Sequence, residues 1–190
     1  MSVRLILASA SPRREELLSL LTSDFDVQPA AIDETQQAGE SPSMFAERMA
    51  REKVAAIGVN GALILGADTV VVSGSEVFGK PRDANDAHRM LTVLADSWHE
   101  VMTGVAVLNG SSIDSLVVAT RVRFRSLTAT EIRNYWQTGE PTDKAGAYGI
   151  QGLGGAFVER IEGSYSAVVG LPLAETAQAL ARAGYRHKLL

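Results

Sequence analysis

Ala62-Leu63-Ile64-Leu65-Gly66-Ala67-Asp68-Thr69-Val70-Val71-Val72 is an apolar run with one carboxylate inside it. It reads as the central strand of a sheet, interrupted by Gly66 and Asp68. The run is far shorter than the ~20 residues a helix needs to cross a bilayer. A carboxylate in such a strand is costly to bury unless it is paired or bound to a metal. Gly66 lets another group approach the backbone closely. Asp68 is therefore the leading candidate for a general base or a metal ligand. The alternative is a strand-end Asp that caps a turn.

Upstream, Val3–Ala8 reads as a short buried strand and Ser9-Ala10-Ser11 as a loop. Ser11 caps a helix whose first residue is Pro12, the favoured order for a helix start. Leu17, Leu18 and Leu21 form its apolar face. Ser41-Pro42 repeats the start signal, and Phe45, Met49, Lys53 and Ala56 follow at spacings of four, four and three. Lys53 thus falls on the apolar stripe of that helix. A lysine there either snorkels to the surface or points its ammonium inward.

Downstream, Asp83 can cap a third helix with Ala87, Met90, Leu91 and Leu94 facing inward. Val101–Leu108 and Leu116–Leu127 read as strands joined by the hairpin signal Asn109-Gly110. Thr128 and Glu131 make a capping box before a helix that ends near Gly139. The glycine-rich segment Pro141–Gly155 reads as a loop. Ala156–Ile161 and Tyr165–Val169 read as two strands that turn at Glu162-Gly163, and Leu173–Ala183 as a final amphipathic helix. Helix-linked strands mixed with hairpins predict an α/β fold, a mixed sheet flanked by helices.

The chain has 190 residues, 46% hydrophobic and 21% charged, which fits one globular domain of one or two lobes and excludes a disordered or collagen-like chain. It contains no cysteine, so disulfides, thiol nucleophiles and Cys-based metal sites are excluded. A net charge of −4 argues against a nucleic-acid clamp, while a local cluster of cations could still hold a small anion. No signal-peptide core or membrane segment is present, so a cytoplasmic location is expected.

The cations gather first at Ser9-x-Ser11-Pro12-Arg13-Arg14. A helix N-terminus carries about half a positive charge, so basic residues are out of place there unless an anion joins them. Two hydroxyls, backbone N–H groups and two guanidinium groups could converge on phosphate oxygens; a plain solvated helix start is the alternative. Gly74-Ser75-Glu76-Val77-Phe78-Gly79-Lys80-Pro81 matches the phosphate-loop pattern until Pro81, which has neither the hydroxyl nor the N–H. Gly74-Ser75 also reads as a hairpin tip, and the phosphate-loop reading is rejected, though Lys80 and Arg82 could still contact phosphate. In Asp143–Gly152, glycines permit close approach to a flat ligand and Gln151 could read a base edge; a structural glycine loop is the alternative. His88, His99 and His187 form no zinc-type pair. Arg121, Arg123 and Arg125 alternate on one strand face, the pattern of a solvated sheet surface.

Taken together, Leu7–Leu18, Ile32-Asp33-Glu34, Gly66–Val71, Gly79–Asp83, His99–Val105, Asp143–Gly152, Gly163-Ser164-Tyr165 and Val168–Pro172 strongly resemble the Maf family of nucleotide pyrophosphatases. The resemblance covers nearly the whole chain. It implies a single Maf-like domain over residues 1–190, with an inosine-triphosphatase-like twisted sheet and two lobes around a cleft. It implies hydrolysis of a nucleoside triphosphate to the monophosphate and pyrophosphate, with Mg²⁺ or Mn²⁺ as cofactor, and a homodimer with no nucleic-acid or membrane partner. Arg13, Thr69 and Gln151 match the branch that prefers dTTP and UTP over 7-methyl-GTP. On this resemblance Asp68 is the base, and Glu34 and Asp68 hold the metal. Ser9, Ser11, Arg13, Arg14, Lys53 and Lys80 bind the triphosphate, and Thr69 and Gln151 select the base. A broader or 7-methyl-GTP-directed pyrophosphatase, and a non-catalytic nucleotide sensor that inhibits septum formation, are the rival readings.

Overall fold

The structure, a computed structural model, describes residues 3–190. β1 (Arg4–Leu7) leads into α1 (Pro12–Leu21), and β2 (Asp26–Val27) into α2 (Pro42–Ala55). β3 (Ala62–Ser73) and β4 (Glu76–Phe78) precede α3 (Ala84–Leu94). β5 (Trp98–Asn109) and β6 (Ser112–Phe124) are followed by α4 (Ala129–Gln137), β7 (Val158–Glu162), α5 (Tyr165–Val169) and α6 (Leu173–Arg182).

Three helix starts follow the side-chain chemistry of the cap. Ser41 accepts the Met44 N–H at 3.3 Å and Asp83 accepts the Asp86 N–H at 2.9 Å. Thr128 accepts the Glu131 N–H at 3.2 Å while the Glu131 carboxylate accepts the Thr128 N–H at 2.8 Å. These contacts satisfy amides that have no partner within the helix.

The seven strands form one mixed sheet in the order β2-β1-β3-β5-β6-β7, with β4 also paired to β3. By contacts the chain divides into two compact units. The first holds the chain as far as Asp68, Thr103–Val118 and Gly170–Leu190; the second holds Thr69–Met102 and Ala119–Val169.

In the first unit β1 lies parallel to both β2 and β3, with Leu5 opposite Leu63 and Leu7 opposite Leu65. Ile6, Ile64 and Ala106 pack with Ala50 and Val54 of α2. Two glycines let that helix come close. A Cβ on Gly66 would lie 2.8 Å from the Ala50 carbonyl oxygen, and one on Gly104 would collide with the Ala46 carbonyl. α1 and α6 pack on one another.

In the second unit Val71, Val72 and Ser73 of β3 pair antiparallel with Phe78, Val77 and Glu76 of β4. Gly74 turns the hairpin with a φ of 60°. The Gly74–Pro81 segment is therefore a hairpin and a loop, as its failed eighth position indicates. β6 and β7 are antiparallel. The core gathers Phe78, Leu91, Leu94, Val122, Phe124 and Phe157, each large side chain contributing roughly 1.5–3 kcal/mol by leaving water. Arg121, Arg123 and Arg125 pair with Glu162, Asp96 and Glu131 at 2.8, 2.6 and 2.8 Å, as a solvated face should.

Four sequence readings need correction. Tyr165–Val169 is a helix, not a strand. Its aromatic and β-branched residues suggest a strand, but the Ser164 hydroxyl accepts the Ala167 N–H at 3.2 Å and starts a helical turn. The strand expected at Ala156 begins at Val158, because Leu153–Phe157 winds into a 3₁₀ turn. Further 3₁₀ turns, Glu140–Asp143 and Ala145–Ala147, occupy the glycine-rich segment read as a loop. The hairpin around Asn109-Gly110 is longer than expected, since β5 starts at Trp98 and β6 at Ser112. No helix among the described residues is long and apolar enough to cross a membrane.

Candidate active site

In the first unit the Ser9–Arg14 segment joins β1 to α1. The Ala8 N–H donates to the Leu65 carbonyl at 2.8 Å, extending the pairing of β1 with β3 to the loop. Ser9 is buried, and its hydroxyl accepts the Ser11 N–H at 3.1 Å and Arg14 Nη1 at 3.4 Å. Arg14 Nε donates to the Gly170 carbonyl at 2.9 Å, so the guanidinium folds back over the loop. Ser11 occupies the N-cap position with extended backbone, as expected, but its hydroxyl makes no capping bond. Its carbonyl instead accepts the Arg14 and Glu15 N–H groups at 3.1 and 3.2 Å.

Lys53 points inward. It is 7% exposed, and its Nζ lies 2.6 Å from Asp68 Oδ1 and 2.7 Å from Glu34 Oε1. The stripe of α2 carries it there; Ala56, expected on the same stripe, is exposed at the C-cap. Gly66 makes the approach possible by letting α2 press on β3 two residues before Asp68. Burial lowers the pKa of the Arg14 guanidinium, Asp68 and Glu34 pull it back up, and Arg13 lowers it again. Arg13, Arg14, Glu34 and Asp68 thus share one electrostatic neighbourhood, with Lys53 between the carboxylates.

Thr69, Lys80 and Gln151 belong to the second unit. Thr69 follows Asp68 in β3 and is half-buried, while Lys80 and Gln151 are exposed. The Gly146 N–H donates to the Gly79 carbonyl at 3.1 Å, tying the glycine segment to the residue before Lys80. Gly146 has a φ of 69°, and Val71 fills the space where its Cβ would stand. The other glycines make room for the protein's own side chains. A Cβ on Gly149 would lie 2.6 Å from the Lys144 side chain, and one on Gly154 would lie 2.6 Å from the Tyr135 hydroxyl.

The sequence reading missed the hub of this segment. Glu140 accepts the Tyr135 hydroxyl at 2.7 Å, the Leu153 N–H at 2.9 Å and the Gly154 N–H at 3.1 Å. It also missed Arg48, which binds the loop bearing Glu34, and the buried pair His99 Nε2 and Tyr148 hydroxyl at 2.9 Å. Only the i,i+4 spacing of Arg48 and Glu52 offered a local signal.

Glu34 and Asp68 are the pair of oxygen donors that converge here. Among the described residues no three His, Asp or Glu side chains gather into a fuller metal cage. Two carboxylates fit Mg²⁺ or Mn²⁺, which commonly take one or two carboxylates and complete their shell with phosphate and water.

A family profile described as Maf-like protein matches residues 4–183. The chain belongs to the Maf family. This Maf chain is 53% identical over 180 residues to the dTTP/UTP pyrophosphatase of Vibrio cholerae, covering 93% of this chain and 96% of that protein. It is 56% identical over 190 residues to the dTTP/UTP pyrophosphatase of Anaeromyxobacter dehalogenans strain 2CP-C, covering 97% and 96%. With the dTTP/UTP pyrophosphatase of Hahella chejuensis it shares 48% identity over 188 residues, 96% and 94% of the two chains. A solved HAM1 protein from Coxiella burnetii superposes with a TM-score of 0.51 at 14% identity, covering 95% of the Maf chain and 99% of that chain. That likeness establishes the fold.

Proposed function

We propose that residues 1–190 act as one nucleoside triphosphate pyrophosphatase domain that hydrolyses dTTP and UTP to the monophosphate and pyrophosphate. The observation that carries this reading is the buried Lys53 ammonium, held at 2.6 and 2.7 Å from Asp68 and Glu34. The relatives named dTTP/UTP pyrophosphatase, at 48–56% identity over nearly the whole chain, support the choice of substrate.

Water attacks the phosphoryl chain, a new P–O bond forms, and the bridge between the α and β phosphates breaks. Asp68 accepts the proton lost by the water. Ser9, Ser11, Arg13 and Arg14 bind phosphate oxygens beside the start of α1. Lys53 and Lys80 offset the negative charge that develops on the departing pyrophosphate. Thr69 and Gln151 contact the base and favour a pyrimidine. Glu34 and Asp68 would hold Mg²⁺ or Mn²⁺, and such an ion, when bound, supplies Lewis acidity toward phosphate oxygens. The same reading makes the protein a cytoplasmic homodimer.

The test is a panel of dTTP, UTP, CTP, GTP, ATP, ITP and 7-methyl-GTP with Mg²⁺ or Mn²⁺, with pyrophosphate measured separately from orthophosphate. Pyrophosphate mainly from dTTP and UTP is expected. Release mainly from 7-methyl-GTP would keep the chemistry and overturn the roles of Arg13, Thr69 and Gln151. No release from any of the nucleotides would overturn the enzyme.

A further inference from the structure

Glu34 is half exposed on a segment, residues 33–40, that has neither helix nor strand. Its carboxylate nevertheless meets a buried ammonium at 2.7 Å. Something must hold that segment, and the grip comes from α2. Arg48 Nε and Nη2 donate to the two oxygens of Glu40 at 2.7 and 2.8 Å, a bidentate pair. The same Nη2 donates to the carbonyl of Thr35, the residue after Glu34, at 3.0 Å. Nη1 reaches forward along the helix to Glu52 at 3.0 Å.

The side chains of Arg48 and Glu40 are 21% and 7% exposed, so this is not a loose surface pair. The Phe45 ring lies 5.5 Å from the guanidinium carbon. Within the segment, Asp33 Oδ1 accepts the Thr35 N–H and hydroxyl at 3.0 and 2.6 Å, and Glu40 Oε2 accepts the Gln37 N–H at 3.0 Å. Both ends of the segment therefore meet at one guanidinium. Lys53 stands five residues further along the same helix.

We propose that Arg48 is a positioning residue: its grip on Glu40 and on the Thr35 carbonyl holds Glu34 against Lys53. A lysine cannot replace it, because one ammonium cannot present the planar fork that meets both Glu40 oxygens and the Thr35 carbonyl together. The inference rests on the proposed role of Glu34 in pyrophosphate release.

Two measurements test it separately. The first is amide hydrogen exchange, which needs no turnover. Arg48→Ala is expected to speed exchange across residues 33–40 at least tenfold while β1 and β3 keep their protection; unchanged exchange there overturns the clamp. The second is a double-mutant cycle in steady-state turnover of dTTP. Arg48→Ala and Arg48→Lys are each expected to lower kcat about tenfold or more, since small misplacements of a reacting group are costly. In a Glu34→Gln background, Arg48→Ala is expected to lower kcat no further. Full additivity overturns the proposal and leaves the role of Glu34 standing. Wild-type turnover by Glu34→Gln overturns both, and is told apart by that single variant. Should Arg48→Ala fail to fold, Glu40→Gln loosens the same grip from the other side and is expected to reproduce both effects.

Discussion

The Lys53 ammonium in the first unit faces two carboxylates and is shielded from water, whereas in the second unit Arg121 is exposed and Arg123 and Arg125 are partly exposed against surface acids. Both sets make contacts below 3 Å, so distance does not tell them apart. Burial does. An exposed pair gains little, because water screens it and holding two long side chains in one geometry costs entropy. A buried ammonium cannot lose its partners without leaving charges uncompensated in a poor solvent. The pairs of the arginine stripe are therefore expected to add little to stability. The Lys53 cluster keeps its ammonium out of water where α2 places it, and its cost is offset only while both carboxylates stay in contact.

The contrast can be broken most severely at Asp68. Asp68→Asn is expected to lower kcat for pyrophosphate release about 10²–10⁴-fold with an unchanged far-UV circular dichroism spectrum. Turnover near the wild-type rate would remove Asp68 from the base role. Lys53→Met leaves Asp68 and Glu34 facing one another with no cation between them. It is expected to cost about 3 kcal/mol in urea unfolding, at the low end of the buried-pair range because Glu34 is half exposed. A loss below about 1 kcal/mol would place the cluster with the surface pairs.

His99 sharpens the comparison with a buried group that has no charged partner. Burial pushes its pKa down to about 4. The unfolded chain takes up that proton near pH 6.5, before the folded one does. Stability is therefore expected to decline as pH falls from about 6.5 to about 4, by about 3 kcal/mol in all. His99→Phe should flatten that part of the profile in urea titrations run at successive pH values, and an equal slope in the variant would assign it to other groups. At the smallest end, Arg121→Gln is expected to change stability by under about 1 kcal/mol, less still at high salt. A larger change would mean that the stripe is structural, through the Arg121 guanidinium that lies 4.5 Å from the Trp98 ring centroid.

Features governed by neighbouring residues were legible in the sequence. Ser41, Asp83 and the Thr128–Glu131 box mark their helices because a cap acts over three residues. The turns at Gly74 and Asn109-Gly110 announce themselves in the same way. Asp68 could be singled out because a carboxylate in an apolar strand is anomalous on its own terms. Periodicity placed Lys53 on the buried stripe but could not say what it meets there, since Asp68 and Glu34 come from other parts of the chain. Glu140 and the His99–Tyr148 pair were invisible for that reason, and Arg48 showed only its i,i+4 spacing to Glu52: each is an ordinary polar residue until its other partners are known. The Tyr165–Val169 helix was misread because propensity over five residues is weaker than one hydroxyl cap.

Gly66 and Gly104 each stand where α2 leaves no room for even a methyl group. Any substitution at either position shifts the helix, and Lys53 and Arg48 travel with it. In a random-mutagenesis screen scored by activity, both glycines would behave like catalytic residues although neither carries a functional group. A map of intolerant positions would thus outline two populations, one that handles the nucleotide and one that sets the spacing of the scaffold. Only a stability assay run beside the activity screen would separate them.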